Sequence, residues 1–263
     1  MHKVNQTSGI SFLLLGFQNS QIINEFLFVP FLWIYIVTLF GNLLIIILVI
    51  TVSALRSPMY ALLSQLSLAD VLLSTKSSEF YLLTAMAYDR YLAICSPLHY
   101  ASIMGFRLCL YMSLCSWGLA IMLSVLINYK AVELTDIILL IPFMLLPFCF
   151  IIYTYVSIGL AILRISSTEG RHKAFSTCSS HLIVVCMYYG TIIIVYMVPS
   201  KGYNFNIKKM LSLLYTVGTP CFNPIVYSLR NNDIRVALRK YMSNQVSFYT
   251  TFKQQKRRSQ LLC

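Results

Sequence analysis

Several stretches of this chain each run for at least twenty residues without a charged side chain. Three of them are residues 26–50, 108–127 and 137–163. A helix needs about 20 apolar residues to cross a hydrocarbon core roughly 30 Å thick, so each stretch is long enough to span a membrane. Because backbone N–H and C=O groups in lipid must be paired within their own segment, helix is the expected geometry. The sequence therefore predicts an all-α integral membrane protein.

Two further apolar segments, residues 174–198 and 210–229, complete the set of predicted long helices. With 58% hydrophobic and 11% charged residues, the chain has too little polar surface for a soluble globule. Its 263 residues allow six or seven spans and leave no room for a second folded domain. Prolines 142, 147 and 224 fall inside these segments, and we expect them to kink the helices rather than end them.

The region between residues 59 and 94 does not fit a pair of complete spans. Two apolar runs of about 15 residues flank a polar break at residues 74–79, and each run is shorter than a full span. Nineteen residues separate Asp70 from Arg90, whereas leaving the membrane from its middle and crossing back takes about 30. We expect this region to be re-entrant, to thin the bilayer locally, or to carry the trace of a deletion.

The net charge of +12 is explained by membrane topology. No aromatic and basic groove suggests a nucleic-acid partner, and fourteen of the twenty Lys and Arg residues fall on one predicted side. The positive-inside rule places that side in the cytosol. The chain divides into an extracellular segment (1–25), a transmembrane bundle (26–229), and a cytoplasmic amphipathic helix with a basic tail (230–263). Asn5 begins a glycosylation sequon on the predicted outer side.

Three long motifs occur in a fixed order. Residues 86–95 read Met-Ala-Tyr-Asp-Arg-Tyr-Leu-Ala-Ile-Cys, followed by Pro-Leu-His-Tyr at 97–100. Residues 173–182 read Lys-Ala-Phe-Ser-Thr-Cys-Ser-Ser-His-Leu, and residues 223–231 read Asn-Pro-Ile-Val-Tyr-Ser-Leu-Arg-Asn. These motifs resemble the end of the third, the start of the sixth and the end of the seventh helix of olfactory receptors. The resemblance implies a rhodopsin-like seven-helix bundle in the plasma membrane, here expected to be incomplete around helices 2 and 3.

The same resemblance implies a switch that activates a heterotrimeric G protein. Asp89 would hold Arg90 at the cytoplasmic end of the third helix until the G protein binds, and two tyrosines would swing toward Arg90 in the active state. Judged without the family, Asp89 and Arg90 form an ordinary interfacial ion pair, which costs little to break because water is near. The expected switch residues are Asp89, Arg90, Tyr91, Tyr155, Asn223, Pro224 and Tyr227.

Three polar side chains lie in otherwise apolar segments: Asn42, Asp70 and Asn223. An unpaired polar group in lipid costs a few kcal/mol, so such residues find partners inside the bundle. Similarity to the superfamily implies that they form one buried hydrogen-bond network, which in related receptors can hold sodium. The alternative is that they only join helices to one another.

Residues 188–191 resemble the aromatic-Tyr-Gly segment of the sixth helix of olfactory receptors. Tyr189, Ile193 and Tyr196 fall on roughly one helical face, and an apolar wall with a few hydroxyls suits a small volatile or hydrophobic odorant. The alternative is an ordinary packing stripe. The outer disulfide of the family has no counterpart, because all eight cysteines fall in predicted helices or on the cytosolic side.

No catalytic, metal or cofactor pattern stands out, because the four histidines are dispersed and no glycine-rich phosphate loop precedes a helix. A transporter or channel is the main alternative class, since Asp70, Lys76 and Glu79 lie in or near lipid. A truncated, non-signalling receptor variant is a second alternative. The sequence leaves the oligomeric state open.

Overall fold

A computed structural model describes residues 21–72, 76–129, 134–197, 211, 216, 218–228 and 231–243. Every regular element in these ranges is helical, and no strand occurs among them. A short 3₁₀ turn at Ser53–Leu55 follows the first helix. The helices are α1 (Gln21–Thr51), α2 (Pro58–Val71), α3 (Lys76–Cys95), α4 (Pro97–Ile103), α5 (Phe106–Tyr129), α6 (Leu134–Arg164), α7 (Thr168–Met197), α8 (218–228) and α9 (232–243).

The surface of the bundle is suited to lipid. Within the described ranges, four helices contain stretches long and apolar enough to cross a membrane: Phe28–Thr51, Phe106–Val125, Leu145–Arg164 and Thr168–Ile194. Large apolar side chains such as Trp33 and Phe40 are exposed along α1. A contiguous apolar surface of this kind is rare on soluble monomers, so the prediction of an all-α integral membrane protein is confirmed.

The helices also continue through the prolines, as the sequence predicted. Pro142 and Pro147 lie inside α6, and Pro224 lies inside α8. The predicted spans 108–127 and 137–163 leave a link of nine residues, 128–136. In the structure this link is shorter, because only residues 130–133 lie between α5 and α6.

The difficult region forms a shortened helical hairpin. Helix α2 has 14 residues, about 21 Å of rise, and ends at Val71, one residue after Asp70. Helix α3 begins at Lys76, inside the polar break at residues 74–79. Ser78 and Glu79 are buried in its first turns. Because α3 packs against α2, α5, α6 and α7, even its first turns lie among other helices.

Helix α3 lies at the centre of the bundle and packs against α2, α5, α6 and α7. Its inward side chains, including Leu82, Leu83 and Met86, are almost fully buried. This central position brings the last turns of α3, with Asp89 and Arg90, to the end of the bundle where α2 begins.

Gly41 marks the closest approach between α1 and α8. A Cβ built on Gly41 lies 2.9 Å from both Cβ and Cγ of Pro224. We expect Gly41→Ala to lower the melting temperature of the detergent-solubilised chain, because overpacking a tight contact typically costs about 1–3 kcal/mol. Gly118→Ala is the matched control, since no atom lies within 4 Å of the added methyl group there. Equal melting temperatures for the two variants would contradict the close approach.

Candidate functional site

Asp89 and Arg90 form a buried ion pair near the end of α3. Arg90 Nε donates to Asp89 Oδ2 at 3.0 Å, and Arg90 Nη2 donates to the same oxygen. Asp89 is 0% exposed and Arg90 is 6% exposed. The surrounding helices therefore cover this pair more fully than expected for an interfacial ion pair, and the cost of breaking it stays a prediction. Removing either partner alone would leave an uncompensated buried charge.

Tyr100 is a third member of this cluster, and the sequence did not predict it as a site residue. Helix α4 begins with Pro97 and places the Tyr100 hydroxyl 2.8 Å from Asp89 Oδ1, to which it donates. Burial and the neighbouring Asp89 carboxylate raise the pKa of Tyr100 well above its usual range. A phenol is protonated at neutral pH even at its ordinary pKa, and this rise keeps it a donor to higher pH. Both carboxylate oxygens of Asp89 are thus engaged.

The two switch tyrosines occupy different positions. The Tyr155 hydroxyl makes a short hydrogen bond with His181 Nδ1, and the two rings stack with centroids 5.9 Å apart. Tyr227 is buried, and its hydroxyl has no hydrogen-bond partner within the described part of the chain. Arg90, His181 and Tyr227 border one void of about 10 Å³, at the lower limit of what a single water needs. The structure therefore brings Tyr227 beside Arg90, while His181 holds Tyr155.

Tyr91 does not join the ion-pair cluster. Its ring lies 6.5 Å from that of Tyr88 and 6.3 Å from that of Tyr153 on α6. It is half-buried on the α6 side of α3. Its place in the structure is thus an aromatic contact between two helices.

The buried polar residues are joined in two places. Asn223 Nδ2 donates to Asp70 Oδ2 at 2.8 Å, which ties α8 to the end of α2. Asn42 Nδ2 instead donates to the backbone carbonyls of Thr38 and Pro220, both at 3.1 Å. Asn42 and Asp70 therefore both form hydrogen bonds with residues of α8, Asn42 with the Pro220 carbonyl and Asp70 with the Asn223 amide. The side-chain amide of Asn42 donates to backbone carbonyls and not to the Asp70 carboxylate.

The proposed ligand residues do not share one environment. Tyr189 is buried, with its ring centroid 4.5 Å from that of Phe148 and 5.5 Å from that of Phe80. Ile193, one turn further along α7, is half exposed. Helix α3 begins at Lys76, four residues before Phe80, which corresponds to about 6 Å of rise. The first residue of α3 therefore lies near the level of Ile193. The side chain of Tyr196 lies outside the described residues.

A cavity of about 650 Å³ opens at the end of the bundle where α3 ends and α2 begins. Its wall includes Arg90 from α3, Glu169 and Lys173 from α7, Tyr60 from α2, and Asp233 from α9. We call it the cytoplasmic cavity because the positive-inside rule predicts that this side faces the cytosol. Its wall mixes both signs of charge. Arg90 is therefore both held by Asp89 and placed beside an accessible space.

Neither a disulfide nor a metal cluster contributes to the site in the described part of the chain. The seven cysteines within the described ranges are free thiols. No three His, Cys, Asp or Glu side chains in these ranges are grouped so that they could hold a metal ion. The predicted glycosylation site at Asn5 lies outside the described residues.

Comparison with known proteins identifies the family. A model described as "Olfactory receptor" matches residues 128–245, and a model of the seven-transmembrane receptors of the rhodopsin family matches residues 75–134. Human olfactory receptor 10A7 is 37% identical over an alignment that covers 92% of this chain and 96% of the relative. The chain belongs to the olfactory receptor family. Human olfactory receptor 2G3 and the rat olfactory receptor-like protein I9 are similar to it at 38% and 37% identity, respectively, again over 92% of this chain.

The family explains the shortened hairpin of this olfactory receptor. The alignment with the human relative 10A7 runs over 305 residues, which is more than the 263 residues of this chain. The relative therefore carries residues that this chain lacks within the matched span. The 14-residue α2 and the short link between α5 and α6 are places where the structure is correspondingly brief. Among the three explanations considered for residues 59–94, this result favours a deletion.

This receptor is thus a multi-pass membrane protein of the odorant-detecting class of G-protein-coupled receptors. Its relatives are receptors rather than enzymes. Tyr100 and His181 were missed as site residues, although each lies in a quoted motif, and Tyr60 was missed outside these motifs. A sequence gives their identities but not the partners that the fold brings to them.

Proposed function

We propose that this olfactory receptor activates a heterotrimeric G protein through the cytoplasmic cavity beside Arg90. The observation that carries the proposal is the position of Arg90, which borders the cavity while Asp89 holds its guanidinium. The Tyr100 hydroxyl orients the Asp89 carboxylate from the other side. This arrangement has the features of a closed switch with the coupling residue already in place.

Opening this switch requires movement of α6 and α7. Tyr155 and His181 connect these two helices, so separating them frees the Tyr155 hydroxyl. Tyr227 already borders the same void as Arg90, and no described residue forms a hydrogen bond with its hydroxyl. In the open state Tyr155 and Tyr227 would hold Arg90 in the cavity in place of Asp89. A ligand that favours the open state would shift the equilibrium by its difference in affinity between the two states.

The odorant would be a small volatile or hydrophobic molecule bound near Tyr189, Ile193 and Tyr196. The aromatic group of Phe80, Phe148 and Tyr189 connects this part of α7 to α3 and α6. A ligand that separates these rings would act directly on the helices that close the switch. Coupling between the two sites is then two-state allostery across the bilayer.

The receptor would act in the plasma membrane with its N-terminus outside. Exposed Arg56, Arg107 and Arg164 stand at the ends of helices on the side of the cytoplasmic cavity, which supports this orientation. The remaining basic residues of the C-terminal tail lie on the same side in this topology. The bundle would place Asn5 on the outer side, where it can be glycosylated.

The proposal predicts the effect of releasing Arg90. Asp89→Asn keeps the size of the side chain but removes its charge, so we expect ligand-independent nucleotide exchange on the G protein to rise about threefold or more. The measurement uses the purified chain in lipid nanodiscs with a purified heterotrimeric G protein. Tyr100→Phe, which removes one hydrogen bond to Asp89, should give a smaller rise in the same direction. Basal exchange that falls or stays constant in both variants would contradict the closed-switch assignment.

A truncated receptor variant without signalling activity is the second candidate. It is supported by the short hairpin of α2 and α3 and by the greater length of the relatives. This candidate predicts no exchange on the G protein for the wild-type chain and for both variants. The same assay therefore separates the two candidates.

A further inference from the structure

Tyr60 joins two parts of the chain that are far apart in sequence. Its hydroxyl lies in the first turn of α2, 2.8 Å from Asp233 Oδ2 and 3.2 Å from Asn231 Oδ1. The side chain of Tyr60 is buried. A phenol that donates to an ionised carboxylate makes a charge-assisted hydrogen bond, roughly twice as strong as a neutral one. The bond connects the start of α2 to the junction between α8 and α9.

The acceptors of Tyr60 also build the first turn of α9. Asn231 Oδ1 accepts hydrogen bonds from the backbone N–H groups of Asp233 at 3.0 Å and Ile234 at 3.3 Å. This is the usual role of an N-cap asparagine, which satisfies otherwise unpaired donors of a helix. The same oxygen therefore caps α9 and lies next to the Tyr60 hydroxyl. Ile234 and Ala237 are buried and fix the apolar side of α9 against the bundle.

The Tyr60 contact forms part of the cavity wall. Tyr60, Asn231 and Asp233 line the cytoplasmic cavity together with Arg90. The hydrogen bond between Tyr155 and His181 joins α6 to α7, on the side of the cavity that the switch moves. The contact of Tyr60 belongs to α2 and α9 instead. The cavity therefore has one wall tied to the switch and one wall held by Tyr60.

We propose that Tyr60 is a positioning residue that fixes the start of α9 as the stationary wall of the docking cavity. The inference rests on the proposed function insofar as the cavity receives a G protein. The hydroxyl of Tyr60 forms its hydrogen bonds with Asp233 and Asn231 and not with Arg90, so Tyr60 acts through these two residues. Its loss should weaken docking without changing the switch itself.

The first test follows the position of α9 and needs no signalling. Hydrogen–deuterium exchange is measured on the full chain in nanodiscs, for wild type, Tyr60→Phe, and Tyr35→Phe as the matched control on the lipid-facing side of α1. We expect exchange of the amides of residues 234–240 to be about tenfold faster in Tyr60→Phe and unchanged in Tyr35→Phe. Unchanged exchange in Tyr60→Phe would overturn the proposal. Asp233→Asn keeps an oxygen acceptor and should give an intermediate rate.

The second test measures docking. In the nucleotide-exchange assay, we expect Tyr60→Phe to raise the G-protein concentration at half-maximal rate several-fold and to leave the maximal rate unchanged. A lower maximal rate with an unchanged half-maximal concentration would contradict a positioning role. If the wild-type chain activates no G protein, the proposed function fails, but the exchange of the α9 amides still decides whether Tyr60 positions this helix.

Discussion

Replacing Arg90 with glutamine is expected to reduce odorant-dependent activation of the G protein by at least about tenfold. Glutamine is polar but shorter and carries no charge, so it cannot supply the cation that Asp89 holds beside the cytoplasmic cavity. A tenfold loss corresponds to about 1.4 kcal/mol, which is close to the lower end of the range measured for single hydrogen bonds to charged groups. The measurement is nucleotide exchange at equal amounts of purified receptor.

Two controls separate coupling from folding in this experiment. Arg90→Gln alone leaves Asp89 buried without its cation, and this costs stability. The double variant with Asp89→Asn removes both charges and should fold better, but it should remain unable to signal. Arg164→Gln, an exposed arginine at the end of α6, should behave as wild type. Full activity of the double variant would contradict a role for Arg90 in coupling.

The second large effect is expected at Asp70, on folding rather than on coupling. Asp70→Ala removes the acceptor of the Asn223 amide at the point where α2 ends, and leaves that buried amide without this partner. An unsatisfied buried polar group costs about 1–3 kcal/mol. For a chain of this size, that cost lowers the melting temperature by roughly 3–10 °C. The measurement is thermal unfolding of the solubilised chain.

Ser67→Ala is the matched control for Asp70→Ala. Ser67 is equally buried one turn earlier in α2, but its hydroxyl has no hydrogen-bond partner in the part of the chain that the structure describes. Removing it should leave the melting temperature unchanged or raise it slightly. Asp70→Asn, which keeps one oxygen, should fall between the two. A similar loss in Asp70→Ala and Ser67→Ala would indicate that the contact with Asn223 contributes little.

The helical architecture could be predicted because lipid leaves few choices. Uncharged stretches of twenty residues or more must become helices, and the helices run through their prolines as expected. The path of residues 59–94 could be narrowed only to three explanations. Length alone showed that two full spans were impossible, but the turn after Asp70 and the burial of Glu79 depend on which helices surround them.

The site was predictable only as a set of residue identities. The motifs gave Asp89 and Arg90, but their burial comes from the helices that surround them, which no periodic pattern indicates. His181 appeared as one dispersed histidine, although it holds Tyr155. The spacing of Tyr189 and Ile193 placed them on one face, but the structure buries Tyr189 and leaves Ile193 half exposed. Contacts between segments far apart in the sequence determine this burial and these hydrogen bonds. The local sequence does not show which segments meet.

The proposed signalling function is tested most directly by surface labelling of the intact, N-terminally tagged chain in cells, combined with a second-messenger assay against a panel of small volatile ligands. We expect that the tag is accessible from outside and that at least one ligand gives a response that Arg90→Gln abolishes. A chain that is retained inside the cell and silent, or one displayed at the surface with a response independent of Arg90, would rule out this function.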